Sequence, residues 1–222
     1  MDKKEFEECK SITDYENFMK TSVGFNDLSI EDYEDFMPNV MEVVPNMKEK
    51  DPLLMYENVI DELEKLWTSS DQLPIHGPWH HSLVGGILIA SLRNNGYDFN
   101  ENDIKEALKR GMMIPGGSCG FHGACGAGSG AGIALSLAIE STPFHDEARS
   151  KALKINSESY RKISELGGPR CCPLSTYTAI KVAKEELEKV GFEIPISKTE
   201  GRCKFFKLNN QCHGKECPYF PK

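Results

Sequence analysis

The sequence has no run of apolar residues long enough to span a bilayer; the longest candidate, Leu83 to Leu92, is too short. Its first ten residues, M-D-K-K-E-F-E-E-C-K, lack the apolar centre of a secretory leader, so a cytoplasmic protein with no membrane partner is expected. Basic residues are outnumbered, 26 Lys and Arg against 34 Asp and Glu, for a net charge of −8. That balance disfavours a general nucleic-acid or membrane surface and leaves room only for a local basic lobe. No convincing alternating strand, internal repeat or low-complexity linker occurs. A phosphate-binding G-x-x-x-x-G-K is missing. The run G-A-G-S-G-A from Gly126 to Ala131 fits a dinucleotide fingerprint only loosely, because no strand precedes it. Ser118 and Ser129 lie near His122, but no oxyanion arrangement points to a hydrolase.

What is present in quantity is cysteine and glycine. Eight cysteines in a chain expected in the cytosol do not read as a disulfide framework. They cluster as Cys119 and Cys125, the adjacent Cys171 and Cys172, and Cys203, Cys212 and Cys217, with Cys9 alone. Clustering favours metal ligation or thiol redox chemistry over core filling.

The helical grammar is legible through the middle of the chain. Residues 1–50 read as an acidic extension of short helices. One is capped by Asp27 or Ser29 and ended by Pro38, and the extension docks through Phe18, Phe25, Tyr33 and Phe36 or remains a partly disordered arm. Asp51-Pro52 is a cap and first-turn pair for a helix to Trp67. A Pro- and Gly-rich turn then carries His76, His80 and His81 into a helix from about Pro78 to Asn94. Its Gly85, Gly86, Ala90 and Ser91 offer a surface for close packing. Asn100 or Asn102 caps a helix to Gly111, Asp146 to Leu166 is amphipathic, and Pro173 opens a last helix closed by Gly191.

Between them lies Gly111 to Leu137, which holds nine of the 19 glycines. A Pro-Gly-Gly turn feeds Cys119, His122 and Cys125, then a run of Gly, Ala and Ser. If one helix starts near Ser118, those three residues share a face, and its dipole lowers the thiol pKa values. The plain alternative is a tightly packed helix whose cysteines act as small hydrophobes. A second Gly/Pro turn, G-G-P-R-C-C, carries Arg170, Cys171 and Cys172. Converging helix starts would join Cys119, His122, Cys125, Cys171 and Cys172 into one catalytic or metal pocket. His80 and His81 would stand near substrate, and Arg170 would hold its carboxylate or phosphate. Thiolates of this kind suit an Fe–S cluster, zinc or copper(I).

G-G-S-C-G-F-H-G-A-C-G-A at Gly116 to Ala127, followed by G-G-P-R-C-C at Gly167 to Cys172, resembles the signature of an uncharacterised domain family of anaerobic archaea and bacteria. Members of that family are fused to, or found near, methyltransferase and radical-SAM proteins. The match covers roughly Asp51 to Phe192. More distantly the chain is similar to the C-GCAxxG-C-C family of redox or metal proteins, with His76-Gly77-Pro78 where that family has its first cysteine. The resemblance implies a helical fold, a thiol or metal site, and a methyltransferase or radical-SAM partner. It implies no particular reaction.

The tail reads as C-x8-C-x4-C over Cys203, Cys212 and Cys217. It resembles a CCCH zinc finger without its histidine, since position 221 is proline. His213 or a cysteine from the core would supply the fourth ligand. From Lys198 on the tail is locally basic, and Phe205, Phe206 and Tyr219 could stack bases; a metal-stapled lobe covering the bundle is the favoured reading.

The expected architecture is mostly α. An acidic extension (1–50) precedes a bundle of about six helices (51–193) and a small cysteine-rich metal-binding lobe (194–222). The expected function is a metal- or Fe–S-binding redox or thiol protein, with a group carrier or an RNA-binding finger as alternatives. Whether it catalyses a reaction, and whether it forms a homo-oligomer, the sequence leaves open.

Overall fold

The computed structural model describes residues 30–222, so Cys9, Phe18, Phe25 and the expected caps Asp27 and Ser29 lie outside the described residues. The described residues are all-helical, with no strand among them. The helices are α1 (Ile30–Asn46), α2 (Pro52–Leu66), α3 (Trp79–Asn94), α4 (Glu101–Met112), the single turn α5 (Ser118–Phe121), α6 (Gly126–Ala138), α7 (Asp146–Leu166) and α8 (Cys172–Glu188). Two 3-10 turns, Phe206–Leu208 and Gly214–Glu216, follow in the tail. No described helix is long and apolar enough to cross a membrane.

α3 is the axis of the fold. Every residue from Trp79 to Leu92 is buried, as expected for a helix apolar on all sides and surrounded by others. α6, α4, α1, α2 and α8 all pack on it. The small-residue surfaces of α3 and α6 meet as their composition suggests. A Cβ added at Gly130 would fall closer than 3.0 Å to Val84, and one at Gly85 would press on Ile133. Helices this close gain dispersion contacts that larger side chains would prevent.

α1 departs from the expected pattern, because Pro38 lies inside it rather than ending it, as does Pro45. A proline in a helix interior costs about 3 kcal/mol through its missing N–H and ring clash. The burial of Tyr33, Phe36, Met37, Val40 and Val44 against the bundle offsets that cost. Tyr33 stacks on Trp79 with ring centroids 5.3 Å apart, and Phe36 meets Trp67 edge-on at 4.8 Å.

The tail folds back over α2 and α8. Its ends are drawn together where Cys203 donates N–H to the Tyr219 carbonyl (2.7 Å) and Gly201 to that of Pro218 (3.0 Å). Phe205 and Tyr219 are buried under it, and the Tyr219 hydroxyl pairs with Thr178 Oγ1 at 2.9 Å. Arg202 grips Glu57 through two bonds of 2.6 and 2.9 Å, and Lys204 pairs with Asp61 at 2.5 Å. Asp51 has two tasks. One carboxylate oxygen caps α2 by accepting from Leu53 N at 2.8 Å, and the other accepts from Ser197 N at 2.8 Å. Asp51→Ala is therefore expected to cost about 1–2 kcal/mol, the upper range for a lost cap, measured by chemical denaturation. Asp51→Asn, which keeps the capping oxygen but not the acceptor for Ser197, is expected to recover about half of that loss.

Candidate thiol and metal site

The adjacent pair Cys171 and Cys172 is divided between two places. Cys171 is the extended N-cap residue of α8 and Cys172 its first helical residue. Side chains at such a junction diverge, since extended and helical backbones aim Cβ differently. Cys171 enters a cavity under the tail, which it lines together with Cys203, Cys212, Cys217, His213 and Asn209. Tyr177, Phe205 and Tyr219 form apolar walls. The free space is about 20 Å³, room for one water- or ion-sized body. Cys172 is absent from that lining; the ionisable groups around it are Arg170, Cys125 and Cys119.

Backbone N–H groups two or three residues further on lie near the sulfurs of the tail cavity and favour their thiolate forms: Leu174 for Cys171, Phe205 for Cys203, and Tyr219 and Phe220 for Cys217. Gly214 N donates to Cys212 Sγ at 3.4 Å. Such bonds orient thiolate ligands and offset their negative charge. Asn209 adds a side-chain bond, donating from Nδ2 to Cys171 Sγ at 3.5 Å. It also fixes a tautomer: Cys172 N donates to His76 Nδ1 (3.4 Å), so Nε2 carries the hydrogen and donates to Asn209 Oδ1 (3.2 Å). His76 thus ties the Gly/Pro turn before α3 to both cysteines.

Burial dominates the titration of these groups. It pushes Cys171 and Cys172 up to about 12 and Cys203 up to about 11, and raises Cys217 and Cys119, with neighbouring thiols adding to the effect. For Cys119, which is exposed at the surface, the direction is up rather than down as expected at a helix start, from partial loss of solvation at the sulfur and from the neighbouring Cys125 thiol. Burial also lowers His76 to about 4, with Arg170 beside it contributing, and His80 to about 3.

The single helix expected from Ser118 is broken in two. α5 stops at Phe121, Gly123 takes φ +64, and Cys125 is the extended N-cap of α6. Ser118 closes the loop by donating from Oγ to Ala124 O at 2.8 Å and accepting Ala124 N–H at its own carbonyl at 3.1 Å. Cys119, His122 and Cys125 therefore do not share a helical face. Cys119 and His122 are exposed, and Cys125 is half-buried.

The remaining candidates separate in the same way. His80 is 1% exposed, with Nε2 against Ile75 O at 3.1 Å and Nδ1 against Thr176 Oγ1 at 3.4 Å. His81 lies flat on Gly126 with Nδ1 at 2.9 Å from Ile114 O. Both rings are taken up in packing rather than facing a substrate space. His213 stands at the edge of the tail cavity, donates from Nε2 to Pro169 O at 3.1 Å, and fits against Gly168. Phe205 and Tyr219, 3% and 5% exposed, are too buried to stack on bases. Asn209 and Tyr56 carried no sequence signal, being an ordinary tail polar residue and an ordinary helix aromatic. The Tyr56 hydroxyl is buried without a hydrogen-bond partner, and Cys171, Cys172 and Cys203 are among the groups around it. An orphaned donor beside thiols fits a site built for thiolate acceptors. No group of three or more His, Cys, Asp or Glu side chains among the described residues is set to hold an ion as placed. A larger groove, about 570 Å³, runs between α1 and α2 but contains no cysteine.

Fold and site together define a mostly helical protein, all-helical among the described residues, with a cysteine-lined cavity closed by its own C-terminal tail. The chain belongs to DUF5714, a family of unknown function, whose model matches residues 40–220. No match was found among curated proteins or among solved structures.

Proposed function

We propose that this is a metal-binding thiol protein whose centre, zinc or an Fe–S cluster, is held by Cys171, Cys203, Cys212 and Cys217. The observation that carries the reading is the tail cavity: four thiols, from Cys171, Cys203, Cys212 and Cys217, line one small space walled by apolar rings. The donor set fits the group, since soft thiolates in fours suit both metals. Bound there, zinc would act as a structural cross-link and an Fe–S cluster as a one-electron carrier. The chain's own residues orient the sulfurs, exclude water and tie the tail to α2. Holding a metal would require these sulfurs to come closer together, since they are not set to hold an ion as placed. The core cysteine supplies the fourth ligand of the tail motif, with His213 at the rim. Through the family resemblance, the expected setting is a methyltransferase or radical-SAM system, in which the protein carries electrons or a group.

Metal, iron and sulfide analysis of anaerobically purified protein tests this. Wild type is expected to hold zinc, or iron with sulfide and a brown absorption, and Cys203→Ser to lose that centre. Wild-type protein with neither metal would refute the reading. The RNA-binding alternative loses ground because two of the three candidate stacking rings, Phe205 and Tyr219, are buried and Arg202 and Lys204 are paired with α2.

A further inference from the structure

We infer that the groove between α1 and α2 docks a basic amphipathic helix of a partner protein. The inference is independent of the tail centre and of any metal.

The groove has an apolar floor. Val43 and Met47, on α1 and the link that follows it, are half-buried, rest on the core and line a space of about 570 Å³. On α2 the lining runs from Asn58 to Lys65, two helical turns or about 10 Å. Leu54 stands one turn before Asn58 and Leu66 one turn after Glu62, so each shares a side of α2 with a lining residue. They are 44% and 45% exposed, which leaves apolar side chains at both ends of the groove.

The rim is acidic. Glu42, Glu49, Asp61 and Glu62 line the groove against one lysine, Lys65. From Ile30 to Leu66 the sequence has eleven acidic residues and three lysines. That layer carries a charge of −8, equal to that of the whole chain, so the rest of the sequence balances to zero. A cleft lined by one sign of charge over an apolar floor focuses its field and draws in the opposite charge. A helix with lysines on either side of an apolar stripe matches both features, and grooves between helices take such helices by their apolar face.

The chain's own tail shows the chemistry that this side of α2 takes. Lys204 sets its ammonium 2.5 Å from Asp61, and Arg202 makes two bonds to Glu57, one turn earlier. α2 thus already holds one cationic segment beside the groove. Glu42, on the opposite wall, is exposed and has no ion pair among the described residues. Two other occupants complement the rim poorly. Residues 1–29 carry seven acidic residues against four lysines, and a second copy would set one acidic layer against another. Like charges brought together in an interface oppose binding.

Fluorescence anisotropy on the full-length protein tests the inference. The probe is a labelled synthetic peptide with leucines at helical spacing flanked by lysines; a second peptide has serine for each leucine. The leucine peptide is expected to bind at one site per chain. Glu42→Lys combined with Glu62→Lys is expected to weaken it about tenfold. Glu34→Lys combined with Asp35→Lys, the same change of charge on α1 outside the groove lining, is expected to weaken it less than about twofold. All four residues are exposed, so both proteins are expected to fold. No binding of the leucine peptide overturns the inference. So does equal weakening by the two double variants, or equal binding of the serine peptide, since either shows a diffuse attraction without a docking groove. A wild-type dimer that Glu42→Lys with Glu62→Lys dissociates makes a second copy the occupant and overturns the partner helix. None of these readouts depends on bound metal, so this reading and the tail centre fail separately.

Discussion

Cys212→Ser protein is expected to melt about 10 °C below the wild type and to lose its tail to limited proteolysis. The size follows from linkage. A metal present at about 1,000 times its dissociation constant stabilises the folded state by about 4 kcal/mol, and in a chain of this length 1 kcal/mol moves the midpoint by about 2–4 °C. The tail is where the loss should be felt. It has only two 3-10 turns of regular structure, and it is otherwise tied to the bundle by single polar contacts, among them Arg202 to Glu57, Lys204 to Asp61, Tyr219 to Thr178, Ser197 to Asp51, Asn209 to His76 and His213 to Pro169. Released, it would uncover Tyr177 and the apolar wall of the cavity, and the orphaned Tyr56 hydroxyl would meet water. Calorimetry with and without a chelator, and mass analysis of the first proteolytic fragments, read both effects. A midpoint unchanged by chelator and by Cys212→Ser would show that the tail holds by packing alone.

Gly111→Ala is expected to destabilise the protein by about 3 kcal/mol, the upper range for inserting one carbon into a close-packed contact. Gly111 lies within α4, where alanine is otherwise preferred. The obstacle is space alone. A Cβ at this position would meet the His81 carbonyl and the Ser82 Cα, all closer than 3.0 Å and all backbone. A flexible side chain could turn aside, but the axis of α3 cannot. The strain should also travel, because His81 binds the Ile114 carbonyl on the strand of chain that leads from α4 to Cys119. The matched control is Gly120→Ala, in the turn α5. Nothing lies within 4 Å of its added Cβ, so a neutral or slightly stabilising change is expected. Denaturant unfolding of the pair separates the steric cost from propensity.

The sequence by itself determined the helical class and most helix limits, since these are set locally. The Asp51 side chain caps α2 by accepting from Leu53 and Leu54, and Asn100 and Asp103 form a capping box on α4. The glycines of α3 and α6 likewise announced a close crossing. Pro38 was misleading for the opposite reason: the local penalty is real, but aromatic burial of α1 against Trp67 and Trp79 outweighs it, and that burial depends on residues far along the chain. The break after Phe121 was hidden because a positive φ at Gly123 and a Ser118 clasp are invisible to periodicity. The cysteines show the same limit. Their number and grouping pointed to soft-ligand chemistry, yet their spacing suggested one pocket of Cys119, His122, Cys125, Cys171 and Cys172. Only the tertiary structure showed that Cys171 lines the cavity under the tail, while Cys172, Cys119 and Cys125 are absent from that lining. An extended residue followed by a helical one sends adjacent side chains apart, and what Cys171 then meets depends on a tail that returns over α8 from about thirty residues further along the chain.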